Sequence, residues 1–187
     1  MKKENIMNGQ FNPGFTLIEL LVTMAVAAIL LAIAVPNYQT FVLNSRMSAQ
    51  SNDFLSALLL ARSEAVKRGT LVSVCKSANS ATCTAGGTWA QGWIVFVDGN
   101  TAGTLDGAGA NADVLIRGFP ALSGNDTLVG SANVVNFVSY QASGATAGTN
   151  GTVSLCPPSP AVVPGRDIQI TAPGLARVQN PPAAACP

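Results

Sequence analysis

The 187-residue sequence predicts an α+β protein: one long N-terminal helix, membrane-embedded in its first half, packed through its second half on a small antiparallel β-sheet head with two disulfides. Three observations carry this reading. Residues 15–35 are 21 consecutive positions with Glu19 as the only charge, and a helix of that length spans about 30 Å, the hydrocarbon thickness of a bilayer. Residues 37–68 hold neither proline nor glycine, and their apolar positions recur at helical spacing. After Gly69 the apolar runs shorten to strand length between Gly, Asn, Ser and Pro. A helix followed by strands is the order of an α+β domain, not the βαβ alternation of nucleotide-binding folds.

Composition agrees. Charged residues make up 10% of the chain and apolar ones 48%, a balance shifted toward membrane or secreted proteins. A single core usually takes roughly 100 to 150 residues, which leaves room for one modest domain and an extension. The four cysteines, Cys75, Cys83, Cys156 and Cys186, lie outside the apolar run in a chain without histidine. Their even number and Gly/Ala/Thr-rich surroundings predict two disulfides and an oxidising compartment. Three pairings are open; Cys75 with Cys83 closes a short local loop and leaves Cys156 with Cys186 to pin the C-terminal tail. With no histidine and no C-x-x-C pair, no metal site is expected.

Taken in order, the first element is residues 1–14, basic at Lys2 and Lys3 and polar at Asn5, Asn8, Gln10 and Asn12. An ordinary secretory signal cleaved after residues 32–34 would leave Glu19 against its apolar core. A plain anchor gives that carboxylate no role, although an ionisable group at membrane depth is costly and usually has a partner. A cut between Gly14 and Phe15 keeps the apolar helix and makes Glu19 the fifth residue. The run Gly14-Phe15-Thr16-Leu17-Ile18-Glu19 resembles the processing site of type IV prepilins and pseudopilins. That resemblance implies a leader at 1–14, its removal by a prepilin peptidase, N-methylation of Phe15, and a filament-core helix at 15–36. It also implies that Glu19 neutralises the Phe15 amine of an adjacent subunit during assembly, and a buried charge pair of this kind fixes register.

Pro36 removes a backbone donor and either ends the membrane segment or kinks a helix that continues. In the amphipathic helix, 37–68, Phe54, Leu58, Ala61 and Ala65 form one stripe flanked by Leu55, Leu59 and Val66. Asp53, Arg62, Glu64 and Lys67 lie mostly off it. Gly69 reads as the stop. The β-rich head, 69–187, is expected to place strands near 71–75, 93–97, 114–117, 134–139, 152–156 and 167–171 in a small antiparallel sheet.

The run from Leu60 to Gly69 followed by Val72-Ser73-Val74-Cys75, and the stretch Trp89-Ala90-Gln91-Gly92-Trp93-Ile94-Val95-Phe96-Val97-Asp98, look like the GspH/FimT family of minor pilins and pseudopilins. With the N-terminal motif the likeness covers residues 14 to about 118. It implies a minor type IV pilin of low abundance, at or near the pilus tip, that primes assembly alongside other minor and major pilins. The alternatives it carries are a minor pseudopilin of a type II secretion system and a DNA-binding competence pilin. Either way the chain is expected to cross the inner membrane once, its head in the periplasm before entering a filament. The lysines before the apolar run agree with a cytoplasmic leader.

DNA binding would fall to Arg166 and Arg177, but the Gly-Arg-x-Arg pattern of such pilins is broken at Gly165-Arg166-Asp167-Ile168 and displaced at Gly174-Leu175-Ala176-Arg177. From Gly69 onward four cations, Lys76, Arg117, Arg166 and Arg177, face five aspartates. That net charge of minus one is no phosphate-binding field. Trp89 and Trp93 are expected in the core. Asp98-Gly99-Asn100 opens like a calcium loop, yet Gly109 stands where a bidentate glutamate belongs, so a polar loop is expected. Without histidine, a G-x-S-x-G turn, a P-loop or a glutamate pair in the head, no enzyme, cofactor or small-molecule substrate is expected.

Overall fold

The computed structural model describes residues 14–99, 102–107, 112–159, 163–179 and 186. The chain divides into two units, Met1–Gln39 and Thr40–Pro187. Helix α1, Leu17–Arg68, contains Pro36 and contributes to both. In the first unit every described helical residue is exposed. In the second, α1 buries Met47, Phe54, Leu58, Ala61 and Ala65, the stripe at helical spacing, together with Gln50, Ser51 and Ala57. Leu59 and Val66 stay exposed. The helix stops at Gly69, whose φ of +67° suits glycine and whose N–H donates to Ala65 O at 2.9 Å.

Eight strands follow: β1 (Val72–Lys76), β2 (Trp93–Val97), β3 (Val114–Phe119), β4 (Thr127–Gly130), β5 (Phe137–Tyr140), β6 (Gly151–Cys156), β7 (Arg166–Ile170) and β8 (Ala176–Gln179). They form two antiparallel sheets, in the orders β3-β2-β1-β5 and β4-β6-β7-β8. The six strand-like runs of the sequence fall in β1, β2, β3, β5, β6 and β7. The short runs of β4 and β8 carry no alternation strong enough to announce them, and each pairs on one side only, at an edge of the second sheet.

Val72, Val74, Trp93, Val95, Val138 and Tyr140 from the first sheet, and Leu128, Val153, Leu155, Ile168 and Ile170 from the second, share one core with α1. Phe54 of α1 meets Trp89 and Trp93 edge-on, with centroids 5.1 Å away in each case. Trp93 stacks on Phe119, and Trp89 Nε1 donates to Val134 O at 2.9 Å. Both indoles are therefore core residues, as expected. Gly92 between them has φ +108°, and a Cβ there would come within 2.7 Å of Phe119 O, so only glycine lets the 3-10 turn Trp89–Gln91 run straight into β2. The far face of the first sheet buries Cys75, Ile94 and Phe96 under Cys83, Leu105 and Phe137. Burial on both faces explains the unbroken apolar run of β2.

Disulfides join Cys75 to Cys83 and Cys156 to Cys186. Beside the first, Lys76 is buried and donates to Ala85 O and Gly87 O; desolvation holds its pKa below the usual lysine value. Arg46 of α1 reaches the segment before β4, giving Nε to Asp126 Oδ2 and Nη2 to Oδ1, both at 2.9 Å. The Asp126 side chain is fully enclosed, so removing the guanidinium strands a buried carboxylate, a change that typically costs about 3 to 5 kcal/mol. Arg46→Met should lower the unfolding free energy by about 3 kcal/mol in denaturant titrations of the detergent-solubilised protein, with Arg46→Met/Asp126→Leu recovering most of the loss.

Tyr140 supplies a second test. Its hydroxyl is buried without a partner among the described residues, and desolvation pushes its pKa up from 10.0 to about 12. Between those values the unfolded chain has released the phenolic proton and the folded chain has kept it. Stability from this residue is thus intact below pH 10 and declines as pH rises through that window, by roughly 2 to 3 kcal/mol at most. Lys76 has the opposite slope below pH 10.5, because there the unfolded state binds more protons. Tyr140→Phe should remove the alkaline decline and leave neutral-pH stability equal or higher, measured as the wild-type minus variant difference in unfolding free energy across pH 8 to about 12.

Candidate functional site

The candidate site in the first unit begins at the residues before α1. Gly14, Phe15 and Thr16 lie ahead of the helix, and Phe15 is 87% exposed. Thr16 caps α1: its carbonyl accepts from Leu20 N at 3.2 Å, and its Oγ1 accepts from Glu19 N at 3.3 Å. A helix N-terminus leaves several N–H groups unpaired, and a threonine at this position satisfies one of them. Glu19 stands three residues after the cap, in the T-x-x-E spacing of a capping box and in the acidic first turn that the helix dipole favours. The T-x-x-E spacing, legible in the sequence, marks this helix start independently of the Gly14-Phe15 motif.

Phe15, Glu19 and Thr23 are spaced four residues apart and line one shallow notch with Leu20. Among the described residues no cation pairs with the Glu19 carboxylate. From Leu17 onward α1 is long and apolar enough to cross a membrane. Thr23 and Asn37 return their polar groups to the helix, Oγ1 to Leu20 O at 2.9 Å and Nδ2 to Ile33 O at 3.1 Å. Glu19 is left as the one ionisable side chain from Phe15 to Val35.

In the second unit Asp98 and Asp113 are structural. Asp98, buried at the end of β2, accepts at Oδ2 from Ser73 Oγ at 2.6 Å and from Gly103 N at 2.7 Å, and Ser73 continues to Ser139. Asp113 accepts from Gly99 N and Asp106 N, both at 2.7 Å. These oxygens pin the polar loop between β2 and β3 through backbone N–H groups, and no group of three or more acidic or cysteine ligands forms among the described residues. Asn100 and Gly109 of the calcium-like stretch lie outside the described residues.

Arg166 and Arg177 do not converge. Arg166 shares its strand face with buried Ile168 and Ile170 and donates Nη2 to Ser48 Oγ of α1 at 3.1 Å. Arg177 pairs in register with Gln169, on the opposite face of the sheet, and donates to Gln169 Oε1 at 3.0 and 2.7 Å. One is part of the helix–sheet joint and the other is an exposed strand residue.

Comparison with known proteins gives two family matches. Residues 50–174 match the family described as type II transport protein GspH, and residues 12–35 match the prokaryotic N-terminal methylation motif. Among solved structures the chain is similar to the type IV minor pilin FimU of Pseudomonas aeruginosa in two crystal forms. One gives a TM-score of 0.54 at 18% identity over 77% of this chain and 94% of that one. The other gives 0.51 at 19% identity over 73% and 94%. At that identity the likeness is one of fold. No curated protein matches the chain.

Proposed function

Because the chain belongs to the GspH family and carries the N-terminal methylation motif, we propose that it is a minor type IV pilin that enters the filament through α1 and helps to prime assembly at or near the tip. The observation that carries this is the first turn of α1. Its only ionisable side chain is Glu19, on the face shared with Phe15, and the apolar helix behind it has no burial of its own. In lipid such a carboxylate is costly until a cation meets it. Cleavage after Gly14 creates one, the α-ammonium of Phe15. Within a chain that amine lies beside the capped first turn, and in a packed array it meets the Glu19 of a neighbour. The helix then inserts at a register where both charges are neutralised.

On this reading residues 1–14 are the leader, a prepilin peptidase removes it and methylates Phe15, and the head stays on the periplasmic side until assembly. The protein works by shape and contact. Nothing among the described residues of the head brings together a nucleophile, a base and an electrophile-stabilising group. A second reading, a minor pseudopilin of a type II secretion system, is favoured by the description of the matching family.

Mass spectrometry of the mature chain should give an N-terminus of N-methylated Phe15. Glu19→Ala should keep that terminus while its recovery in sheared filaments falls at least tenfold; wild-type recovery would overturn the pairing role. Deleting the gene should remove surface filaments. Normal filaments with impaired protein secretion would decide for the second reading, and normal filaments with normal secretion would sink both.

A further inference from the structure

Lys76 is 1% exposed, and among the described residues no carboxylate pairs with its ammonium. A charge taken out of water is costly unless other groups replace its hydration. Two carbonyls of one loop do so: Nζ donates to Ala85 O at 3.2 Å and to Gly87 O at 2.9 Å. The Lys76 carbonyl accepts in turn from Thr84 N at 2.8 Å. One residue of β1 thus grips the chain at Thr84, Ala85 and Gly87, directly after Cys83. Its own neighbour, Cys75, carries the sulfur bonded to Cys83.

The loop has little else to close it. Apart from Gly86 and Gly87, residues 77–88 are Ser, Ala, Asn, Thr and the one Cys, and none of residues 78–88 is buried. Hydrophobic burial therefore does not hold this segment. Asn79 reverses the chain near its tip, its Oδ1 accepting from Ala81 N at 3.0 Å and from Thr82 N at 2.9 Å. With Lys76 at the base and Asn79 at the turn, the path from Cys75 to Cys83 is set by polar contacts that involve no sulfur.

We propose that Lys76 is a template for oxidation: it closes the 77–88 loop while the thiols are still reduced, and so directs Cys83 to Cys75 among the pairings that four cysteines allow. The oxidant is a small disulfide such as oxidised glutathione. The thiolate of one cysteine attacks it, forming a mixed disulfide and releasing one glutathione. The thiolate of the other then attacks the cysteine sulfur of the mixed disulfide, releasing the second glutathione and leaving the Cys75–Cys83 bond. Two protein thiols are oxidised, one glutathione disulfide is reduced, and the two thiol protons end on the released glutathiones. Lys76 touches no reacting atom; it is a positioning residue that acts on the second step, where the two cysteines have to meet.

Full-length protein in detergent micelles is reduced and then equilibrated with reduced and oxidised glutathione at set ratios. After an acid quench the linkages are mapped by peptide mass spectrometry, which gives an effective concentration for each cysteine pair. Lys76→Met loses the ammonium and keeps an unbranched side chain. It should lower the Cys75–Cys83 value about tenfold, the weight of one hydrogen bond to a charged group, and yield chains in which Cys75 or Cys83 is joined to Cys156 or Cys186. The Cys156–Cys186 pair should keep its wild-type value, which shows the second sheet intact. An unchanged Cys75–Cys83 value overturns the proposal. An equal fall of both pairs also overturns it, because Lys76 would then support the head as a whole and not this pairing. The measurement concerns the isolated chain, so its failure leaves the filament readings to their own assays.

Discussion

Phe54 meeting two indoles edge-on is the contact around which the head is arranged. It carries α1 onto the first sheet through Trp93 of β2. Through Trp89, whose N–H is bonded to Val134, it also fixes the segment that leads from β4 to β5 and so joins the two sheets. Aromatic pairs at such distances contribute about 0.5 to 1.5 kcal/mol each beyond the area they bury. Their larger effect is geometric, since a core packed to crystal-like density leaves little freedom in how helix and sheets meet. The Arg46–Asp126 pair and the Arg166–Ser48 bond tie the same helix to the second sheet's side of the head.

Glu19 is governed by the opposite constraint. Where Phe54 is stabilised by what surrounds it, Glu19 meets, among the described residues, only the shallow notch it shares with Phe15, Leu20 and Thr23. The capped, acidic first turn is stable as a helix end in any medium. The carboxylate's charge is costly in an apolar environment until a cation answers it. One short turn therefore holds a helix-start signal and, on the proposed function, the charge that a neighbouring subunit answers.

Much of this was legible in the sequence because it rests on period and composition. The unbroken apolar run 15–35, the stripe through Phe54, Leu58, Ala61 and Ala65, and six of the eight strands are one-dimensional patterns. The membership of residues 14–118 in a known family could likewise be read from contiguous motifs. What stayed hidden depends on residues far apart in the chain. Arg46 and Asp126 are 80 residues apart, Ser73 and Asp98 are 25 apart, and no local spacing marks either pair. The division into two sheets was equally out of reach, because β4 and β8 take their shape from neighbours and not from their own four residues. Arg166 and Arg177 lie on opposite faces of the second sheet, a placement set by the β7–β8 register and not by their spacing in the chain.

The Cys156–Cys186 disulfide closes a ring of chain with β7 and β8 inside it and β6 at its root. The consequence concerns damage. The stretch from residue 157 to 185 is rich in proline and alanine, and it offers a protease many peptide bonds. A single cut within that ring opens it without releasing a fragment, because both new ends remain covalently attached through the two sulfurs. The second sheet then keeps all four strands in place at high effective concentration. A nicked chain still holds its second sheet in one covalent piece.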